Sequence, residues 1–564
     1  MKKIIGTILS SVIISVSVFT AQAAVSTDEL KIGITQEFEN LNPMNMTMVA
    51  SFYLYNLAGR ALDTMNTDGK WYPQLAKSIP TVENGGAKII TVNGKKTVQA
   101  VWEIIEAAKW SDGKPVTCED FLFARTVADS NNVSVGSKET YTQIDKIEWD
   151  PKTPKKCTFT YDKARWDFTQ LGQFYPLPKH IDGPVFEQYK NVKEGYDKNS
   201  NYTKNPTMPG LYNGPYKIDE VKLGSHVTFS PNPYFYGPQP HFKKIIVKLI
   251  PNDSTLEANL TSGNIDSVSS LGFAFDKALA FEKKVKAQNL PYTVMFKPSL
   301  TYEHIDLNLT NPILKDVKVR KALVFAINRD DLVKALFEGK QQAAIHNLTS
   351  IDPWYTDDPK YVVKYSYSKR DAGKLLDEAG WKLNDKDGYR YKDGKKLSLV
   401  FMTTAGNKTR ETVQTYLQGQ WKAVGIDVQI KNEPARVFFG DTTKKMRYGA
   451  MAMYAWTSSP ESNPKPQFHS SQIPTSANGF SGQNYTGWKN AKVDELMEKL
   501  EGEFDAAKRK AMVGEITKYY TDEVPVIPLY YRADIAVPPT ALKNFKLPGH
   551  QFSETNEVES WDIK

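Results

Sequence analysis

The sequence predicts a large α/β protein that is divided into several lobes. At 564 residues the chain is too long for a single hydrophobic core and is expected to form about two to four lobes. The second half alternates helical patterns with short apolar strands, whereas the first half is richer in strands and turns. Hydrophobic residues make up 40% of the chain and aromatic residues 12%, which excludes a disordered protein.

The first residues predict an exported protein. Two lysines precede an apolar run over residues 4–19, and the run is followed by a small-x-small cleavage pattern at residues 21–23. As a membrane anchor this run would be short, and it is diluted by glycine, threonine and serine. We therefore expect a signal peptide over residues 1–23 and a mature chain that begins near Ala24.

The cysteines lead to two further expectations. A lipid-anchored exported protein needs a cysteine at its cleavage site, and the only two cysteines are Cys118 and Cys157. The mature chain is expected to be a free, soluble monomer, which suits a periplasm enclosed by an outer membrane better than a single-membrane surface. An oxidising compartment also favours a disulfide between Cys118 and Cys157, with two free thiols as the alternative.

The charge balance argues against nucleic acid as a partner. The chain carries 72 Lys and Arg against 64 Asp and Glu, and only two of these charged residues, both lysines, lie in residues 1–23. The basic residues are interleaved with acids, which is typical of solvated surface and not of a basic stripe. No nucleic-acid partner is expected.

Local patterns predict the elements of the first half. An Asn-Gly pair between two β-rich runs indicates a hairpin, and a glycine at position 224 marks the tip of a second one. The predicted elements are a strand at 28–36, a helix at 51–63, hairpins at 88–104 and 216–237, and a strand at 241–251.

Apolar residues at three- and four-residue steps predict the helices of the second half. The predicted elements are helices at 316–338, 371–381, 411–425 and 492–523, a strand at 426–432 and an apolar strand at 524–531.

The chain contains no recognisable catalytic or metal motif. The seven histidines show neither HxH nor HExxH spacing, and the glycine-rich phosphate motifs are absent. Residues 479–483 fail the GxSxG pattern because the fifth residue is glutamine. We therefore expect no enzyme activity, no metal and no cofactor. An exported hydrolase or a chaperone-like peptide holder is the less favoured alternative.

Motifs in a fixed order along the chain resemble one family. Residues 110–121, WSDGKPVTCEDF, resemble the W-x-DG-x-P-x-TAxDV signature of the dipeptide/oligopeptide class (family 5) of periplasmic solute-binding proteins. Cys118 stands where that family commonly has alanine. Further segments similar to family motifs are 72–78, 213–216, 232–235, 263–266, 317–329, 379–381, 424–428 and 525–530.

The resemblance implies a two-lobed, three-domain periplasmic-binding-protein fold, class II-like with an extra domain II. Domain I would combine residues 24–72, 208–296 and 527–564, domain II would be residues 73–207, and domain III would be residues 297–526. Family members close around a solute by a hinge and deliver it to an inner-membrane ABC permease complex. The 110–121 segment would then be structural, a turn that leads into a helix.

The resemblance also implies where a ligand lies. In peptide binders of this family an extended ligand pairs with two protein segments between the lobes, and these resemble residues 37–43 and 453–459 here. Trp456 is the best single candidate for a ligand platform. The expected ligand contacts are Glu37, Phe38, Glu39, Asn40, Tyr454, Trp456, Thr457, Ser458, Ser459 and Glu461.

Ser459 departs from the family pattern. The peptide binders carry an aspartate three residues after the tryptophan, and that aspartate pairs with the α-ammonium of the peptide. Either Glu461 replaces this aspartate here, or the ligand lacks a free amino terminus at this place. An oligopeptide is the favoured ligand, and oligosaccharides, opines and modified peptides are the alternatives.

Overall fold

The structure is a computed structural model that describes residues 27–563, except residues 39, 47, 137, 435–436 and 478–481. The predicted signal peptide and Glu39 lie outside the described residues. Within the described part of the chain, no helix is both long enough and apolar enough to span a membrane.

The strands and helices are numbered in chain order. The strands are β1 Glu29–Ile34, β2 Asp63–Met65, β3 Trp71–Pro73, β4 Ala87–Val92, β5 Lys95–Glu103, β6 Ile144–Glu148, β7 Lys156–Tyr161, β8 Tyr216–Lys222, β9 His226–Pro231, β10 Lys244–Leu249, β11 Ser267–Val268, β12 Met295–Leu307, β13 Gln342–Ala343, β14 Lys382–Leu383, β15 Arg390–Lys392, β16 Lys395–Lys396, β17 Ser398–Met402, β18 Asp427–Ile430, β19 Met451–Thr457, β20 Val526–Ala536, β21 Leu542–Lys543 and β22 Asp562–Ile563. The α-helices are α1 Val49–Ala58, α2 Cys118–Asp129, α3 Lys138–Thr142, α4 Lys179–Tyr189, α5 Gly195–Asn199, α6 Asn201–Lys204, α7 Asp253–Thr261, α8 Phe275–Gln288, α9 Val317–Phe325, α10 Arg329–Phe337, α11 Lys369–Glu378, α12 Lys408–Lys422, α13 Lys465–Phe468, α14 Ala491–Glu501 and α15 Ala506–Glu523. A π-helical turn covers Phe438–Thr443, and 3-10 turns cover Ser470–Gln472 and Glu554–Ser560.

An antiparallel four-stranded sheet in the order β4-β5-β7-β6 contains the predicted Asn-Gly hairpin. Asn93 and Gly94 have φ values of 50° and 77°, the left-handed conformation that a two-residue hairpin loop requires. On β7, Cys157 pairs in register with the fully buried Trp102 of β5. Cys157 is joined by a disulfide to Cys118 at the start of α2, with the two Cα atoms 5.5 Å apart.

The 110–121 segment is a buried turn that leads into α2. The Trp110 side chain is fully buried, and its indole N–H donates to the Asp120 carboxylate at 3.3 Å. The same carboxylate accepts the backbone N–H of Thr117, the residue before the helix, at 2.9 Å. Asp120 thus stabilises both the helix start and the turn, the structural role expected for this motif.

A five-stranded sheet in the order β11-β1-β10-β9-β8 assembles distant parts of the chain. β1 is parallel to both β10 and β11, whereas β8 and β9 form the second predicted hairpin with Gly224 at its tip. Leu30, Ile32 and Ile34 of β1 are buried in the core beneath this sheet. We call the part of the molecule built on the four- and five-stranded sheets the first lobe.

A six-stranded sheet in the order β13-β20-β12-β19-β17-β18 forms the second lobe with its flanking helices. Its long central strands β12 and β20 are antiparallel, from Met295 opposite Ala536 to Asp306 opposite Val526. Immediately after β20, Val537 pairs with Val268 of the first lobe. The two long strands therefore connect the lobes.

Two predicted long helices are each divided in the structure. The helix predicted over residues 316–338 consists of α9 and α10, because the Asn328 side chain accepts the N–H of Asp331 at 3.1 Å and caps a new helix. The helix predicted over residues 492–523 consists of α14 and α15, because Asp505 caps the second part in the same way. The prediction of single helices was wrong at both places.

The mixed α/β fold class is confirmed. The exact boundaries of the three domains stay a prediction. β12 and β20 each run across one of the proposed boundaries, at 296/297 and 526/527.

Candidate ligand-binding site

Two cavities lie between the lobes. The first has a volume of about 480 Å³ and lies between residues 140–170 of the first lobe and residues 459–501 of the second. The other has a volume of about 720 Å³ and lies between residues 270–276 of the first lobe and the strands β12, β19 and β20 with the start of α12. Thr457 lines the 720 Å³ cavity and Ser459 lines the 480 Å³ cavity, so the chain that leaves β19 borders both.

β19 has an edge that is mostly uncovered within the described part of the chain. On one side all seven of its residues pair with β12. On the other side β17 pairs only with Met451 and Ala452, and the Thr403 hydroxyl donates to the Met453 carbonyl at 2.7 Å. Residues 454–457 therefore have backbone groups on this side that another extended chain can bond.

The predicted residues on β19 fall into different environments. Tyr454 is only 2% exposed and its hydroxyl donates to Asp306, so in this conformation its ring belongs to the core. The ring of Trp456 is half-buried and lies nearly parallel to that of Tyr485, with the centroids 6.2 Å apart. Thr457 is exposed and its hydroxyl lies 3.0 Å from that of Thr301. Of these residues, Thr457 lines a described cavity.

Residues 458–461 follow β19 and are held by hydrogen bonds to other segments. The backbone N–H of Ser458 donates to the Leu300 carbonyl at 3.0 Å, and the Ser459 hydroxyl accepts the side-chain amide of Gln551. Ser459 and Glu461 both line the 480 Å³ cavity. These two residues are therefore brought together at one site.

Glu461 is an unusual residue in this cavity. Its φ of 53° lies in the left-handed region, which is uncommon for a residue with a side chain. Burial raises the pKa of its carboxyl, and the charges of Arg509 and Lys510 only partly oppose this. Burial, together with the charge of Glu461, raises the pKa of the neighbouring Asp352 to about 7. Within the described chain, Glu461 forms no ion pair with a lysine or arginine. Its carboxylate is therefore available to pair with a cationic group of a ligand.

The described residues of the first predicted segment, 37–38 and 40–43, do not line either of these cavities. Phe38 is 9% exposed and packs in the first-lobe core, whereas Glu37 is exposed. The Asn40 side chain accepts the backbone N–H of Asn42 at 2.9 Å and so shapes its own loop. Thr35 and Gln36, just before this segment, line the 720 Å³ cavity. A binding role for Glu37, Phe38 and Asn40 stays a prediction.

Charged residues that the sequence did not single out surround the 480 Å³ cavity. Lys163 of the first lobe and Lys465 of the second both contact the Glu501 carboxylate, each at 3.3 Å. Arg165 and Asp167 pair with each other, with Nε and Oδ1 2.6 Å apart. The sequence did not distinguish these residues from ordinary solvated ion pairs, because the sequence around each of them does not show that two lobes meet at this point.

Trp166 forms a direct contact between the lobes. It extends from the first lobe, is 8% exposed and packs in the second lobe against Leu500, Val513 and Trp354, whose ring centroid lies 5.5 Å from its own. The Arg509 guanidinium lies 4.3 Å from the Trp166 ring centroid. The cleft is therefore closed in this structure.

The architecture is that of a two-lobed binding protein whose lobes enclose two cavities. Among the described residues no group of three or more His, Cys, Asp or Glu side chains is arranged to hold a metal ion. Residues 70–477 match the family model described as bacterial extracellular solute-binding proteins, family 5 Middle, and the chain belongs to this family. It is a solute-binding component of an ABC transporter and not an enzyme.

Several known proteins are similar to this chain. The oligopeptide-binding protein AppA of Bacillus subtilis is 28% identical over 460 residues, which is 81% of this chain and 80% of AppA. An oligopeptide-binding protein of Thermus thermophilus, solved with a pentapeptide, superposes with a TM-score of 0.74 at 25% identity and covers 95% of this chain and 96% of its own. NikZ of Campylobacter jejuni, solved with Ni(L-His), has a TM-score of 0.73 at 23% identity and covers 95% of this chain and all (100%) of its own. The NikZ likeness concerns the fold alone.

Proposed function

We propose that this protein captures an oligopeptide or a peptide-like solute between its lobes and delivers it to an inner-membrane ABC permease. The observation that carries the proposal is the uncovered edge of β19 over residues 454–457, which borders the inter-lobe cleft. An extended peptide repeats its N–H and C=O groups at the spacing of a strand and can pair along such an edge. Two relatives named as oligopeptide-binding proteins support this assignment.

A non-peptide or amino-blocked solute is the second candidate. It is favoured by Ser459, which offers a hydroxyl where peptide binders carry an aspartate, and whose hydroxyl is already bonded by Gln551. A buried ammonium that meets only a hydroxyl forgoes a charge-assisted hydrogen bond worth about 1.5 to 3 kcal/mol. Glu461 is the carboxylate that lines the cavity beside Ser459, so a substitution at Glu461 distinguishes the two candidates.

The ligand class is tested on protein isolated from its native compartment. Mass spectrometry of the solute that copurifies is expected to show peptides, and calorimetry is expected to show one ligand per chain without turnover. Recovery of a sugar or an opine would contradict the peptide assignment. Consumption of the ligand would contradict a transport role.

Replacing Glu461 with glutamine is expected to weaken binding of a peptide with a free amino terminus by about 10- to 100-fold, the effect of one charge-assisted hydrogen bond. N-acetylation of the peptide should weaken its binding to the unchanged protein to a similar extent. Calorimetry measures both effects. Glu187→Gln is a matched control, because Glu187 is an exposed residue of α4 paired with Lys190. Unchanged affinity after both acetylation and Glu461→Gln, together with loss of binding in Trp456→Ala, would favour an amino-blocked ligand.

We also propose that the protein is a periplasmic monomer released by cleavage before Ala24. The apolar run over residues 4–19 and the absence of a cysteine near the cleavage pattern support this proposal. The intact mass of the protein recovered from the periplasm should correspond to a chain that begins near Ala24. A mass that retains residues 1–23, or that includes an acyl group, would refute it.

The proposed division into three domains is supported by the sheets. The strands of the four-stranded sheet all lie within residues 73–207, and the strands of the five-stranded sheet all lie within residues 24–72 and 208–296. The long strands β12 and β20 would then serve as the hinge, because they are the two segments that run from the second lobe into the first.

A further inference from the structure

The 720 Å³ cavity has a positively charged wall in the second lobe. Glu303 is completely buried on β12 and contacts two guanidinium groups. Arg410 Nε lies 2.6 Å from one carboxylate oxygen and Arg532 Nη2 lies 2.6 Å from the other. Burial alone would raise the pKa of Glu303, but the two guanidinium groups outweigh it and lower this pKa. One carboxylate thus balances two fixed cations, and the triad keeps a net positive charge.

Arg532 is the member of the triad that faces the cavity. Its side chain is 35% exposed and lines the cavity, whereas the Arg410 side chain is 9% exposed and also bonds Thr404. Within the described part of the chain, Glu303 is the only carboxylate in ion-pair contact with Arg532. A guanidinium has five N–H donors in a planar fork, so Arg532 retains donors for a second carboxylate.

Other polar groups line the same cavity. Gln341 is 6% exposed, lines the cavity, and its side-chain carbonyl oxygen has no partner within the described structure. Lys408 and Thr409, the first two residues of the 15-residue helix α12, line it as well, at the end of the helix that favours negative charge. The hydroxyls of Thr301 and Thr457 complete this polar wall.

The acidic residues around the cavity are already compensated to a large extent. Asp253 and Asp276 lie in the first turns of α7 and α8, where the helix dipoles stabilise them, and the Asp253 carboxylate also accepts the N–H of Ala274 at 3.1 Å. Burial, together with the charge of Glu554, raises the pKa of Asp534 to about 7, so that carboxyl is not a full counter-charge at neutral pH.

We infer that Arg532 anchors a carboxylate of the ligand in the 720 Å³ cavity and thereby selects acidic or free-acid solutes. The inference rests on the proposed function, since the carboxylate belongs to the captured peptide. Two sources share this chemistry, the C-terminal carboxylate of the peptide and an acidic side chain. Thr457 places this cavity directly beside the uncovered edge of β19, so one extended ligand can pair with the edge and reach Arg532.

The test compares acids with their amides in calorimetry on the mature protein. The probes are penta-alanine as free acid and as carboxamide, and penta-alanine carboxamides that carry a single glutamate or a single glutamine. The unchanged protein is expected to prefer one acid over its amide by about 10- to 100-fold, as for other charge-assisted pairs. A preference for the free acid over the carboxamide of penta-alanine would show that Arg532 binds the C-terminal carboxylate. A preference for the glutamate peptide over the glutamine peptide would show that it binds an acidic side chain.

Arg532→Gln should abolish this preference, and Arg532→Lys should retain part of it. Because the preference is a ratio measured within one variant, a general loss of stability does not alter it. The control Arg370→Gln, at a guanidinium that is 89% exposed and pairs with its neighbour Asp371, should keep the full preference. The inference is overturned if the unchanged protein binds acids and amides equally, or if Arg532→Gln still prefers the acid. Failure of every pentapeptide to bind would instead overturn the proposed function, and this inference with it.

Discussion

Replacing Trp166 with alanine is expected to weaken solute binding by about 100-fold and to leave the melting temperature of the open, unliganded protein nearly unchanged. Removal of a buried tryptophan side chain costs about 3 to 5 kcal/mol. Trp166 packs against Trp354, Leu500 and Val513, which belong to the opposite lobe, so the contact exists only when the cleft is closed. The cost therefore falls on the closed state, and about 3 kcal/mol corresponds to about 100-fold in affinity.

Calorimetry measures the affinity, and small-angle X-ray scattering shows whether the liganded variant still closes. Trp149→Ala is the matched control, because Trp149 is half-buried and packs within the first lobe alone. That change should lower stability and leave affinity unchanged. A Trp166→Ala protein that melts earlier but binds as tightly as the unchanged protein would show that the contact does not hold the lobes together.

Replacing both Cys118 and Cys157 with alanine is expected to destabilise the protein by about 4 kcal/mol. The bridge closes a loop with a sequence separation of 39, and the chain-entropy model gives about this value for such a loop. Urea unfolding of the unchanged and the double-alanine protein measures the difference, which should appear in the transition that includes the four-stranded sheet.

Thiol labelling of the denatured, unreduced protein checks that the bridge is present before the comparison is made. No reactive thiol is expected. Two reactive thiols per chain would mean that the cysteines are free, and the double replacement should then have a much smaller effect, since each free cysteine would be a small buried residue close to alanine in size.

Features that depend on a few neighbouring residues were predictable from the sequence. The hairpin at Asn93 and Gly94 forms because these residues adopt the left-handed conformation at little cost. The turn that precedes α2 forms because Asp120 accepts hydrogen bonds from Thr117 and Trp110. In contrast, apolar periodicity alone did not show the breaks before α10 and α15. The capping residues Asn328 and Asp505 were the available signal, and they outweigh a continuous apolar pattern.

The site was less predictable because it depends on how distant segments meet. Residues 451–456 of β19 are all apolar, so their alternation did not show which face of the strand is core. The ring of Tyr454 is buried, and a ligand contact of this residue stays a prediction. Trp166 and Arg532 are informative only once the lobes are docked and the register of β12 against β20 is known. No local pattern separates either residue from ordinary core or surface.

The connection made by β20 and Val537 also constrains the order in which the protein folds. The five-stranded sheet needs β1 from the beginning of the chain and β10 and β11 from the middle, and Val537, which follows β20, pairs with Val268 of β11. The four-stranded sheet takes all its strands from one continuous stretch and can form as soon as that stretch is available. Since long-range pairing is slow, we expect the contact between Val268 and Val537 to form late and the edge of β11 to stay open to aggregation or proteolysis until it does.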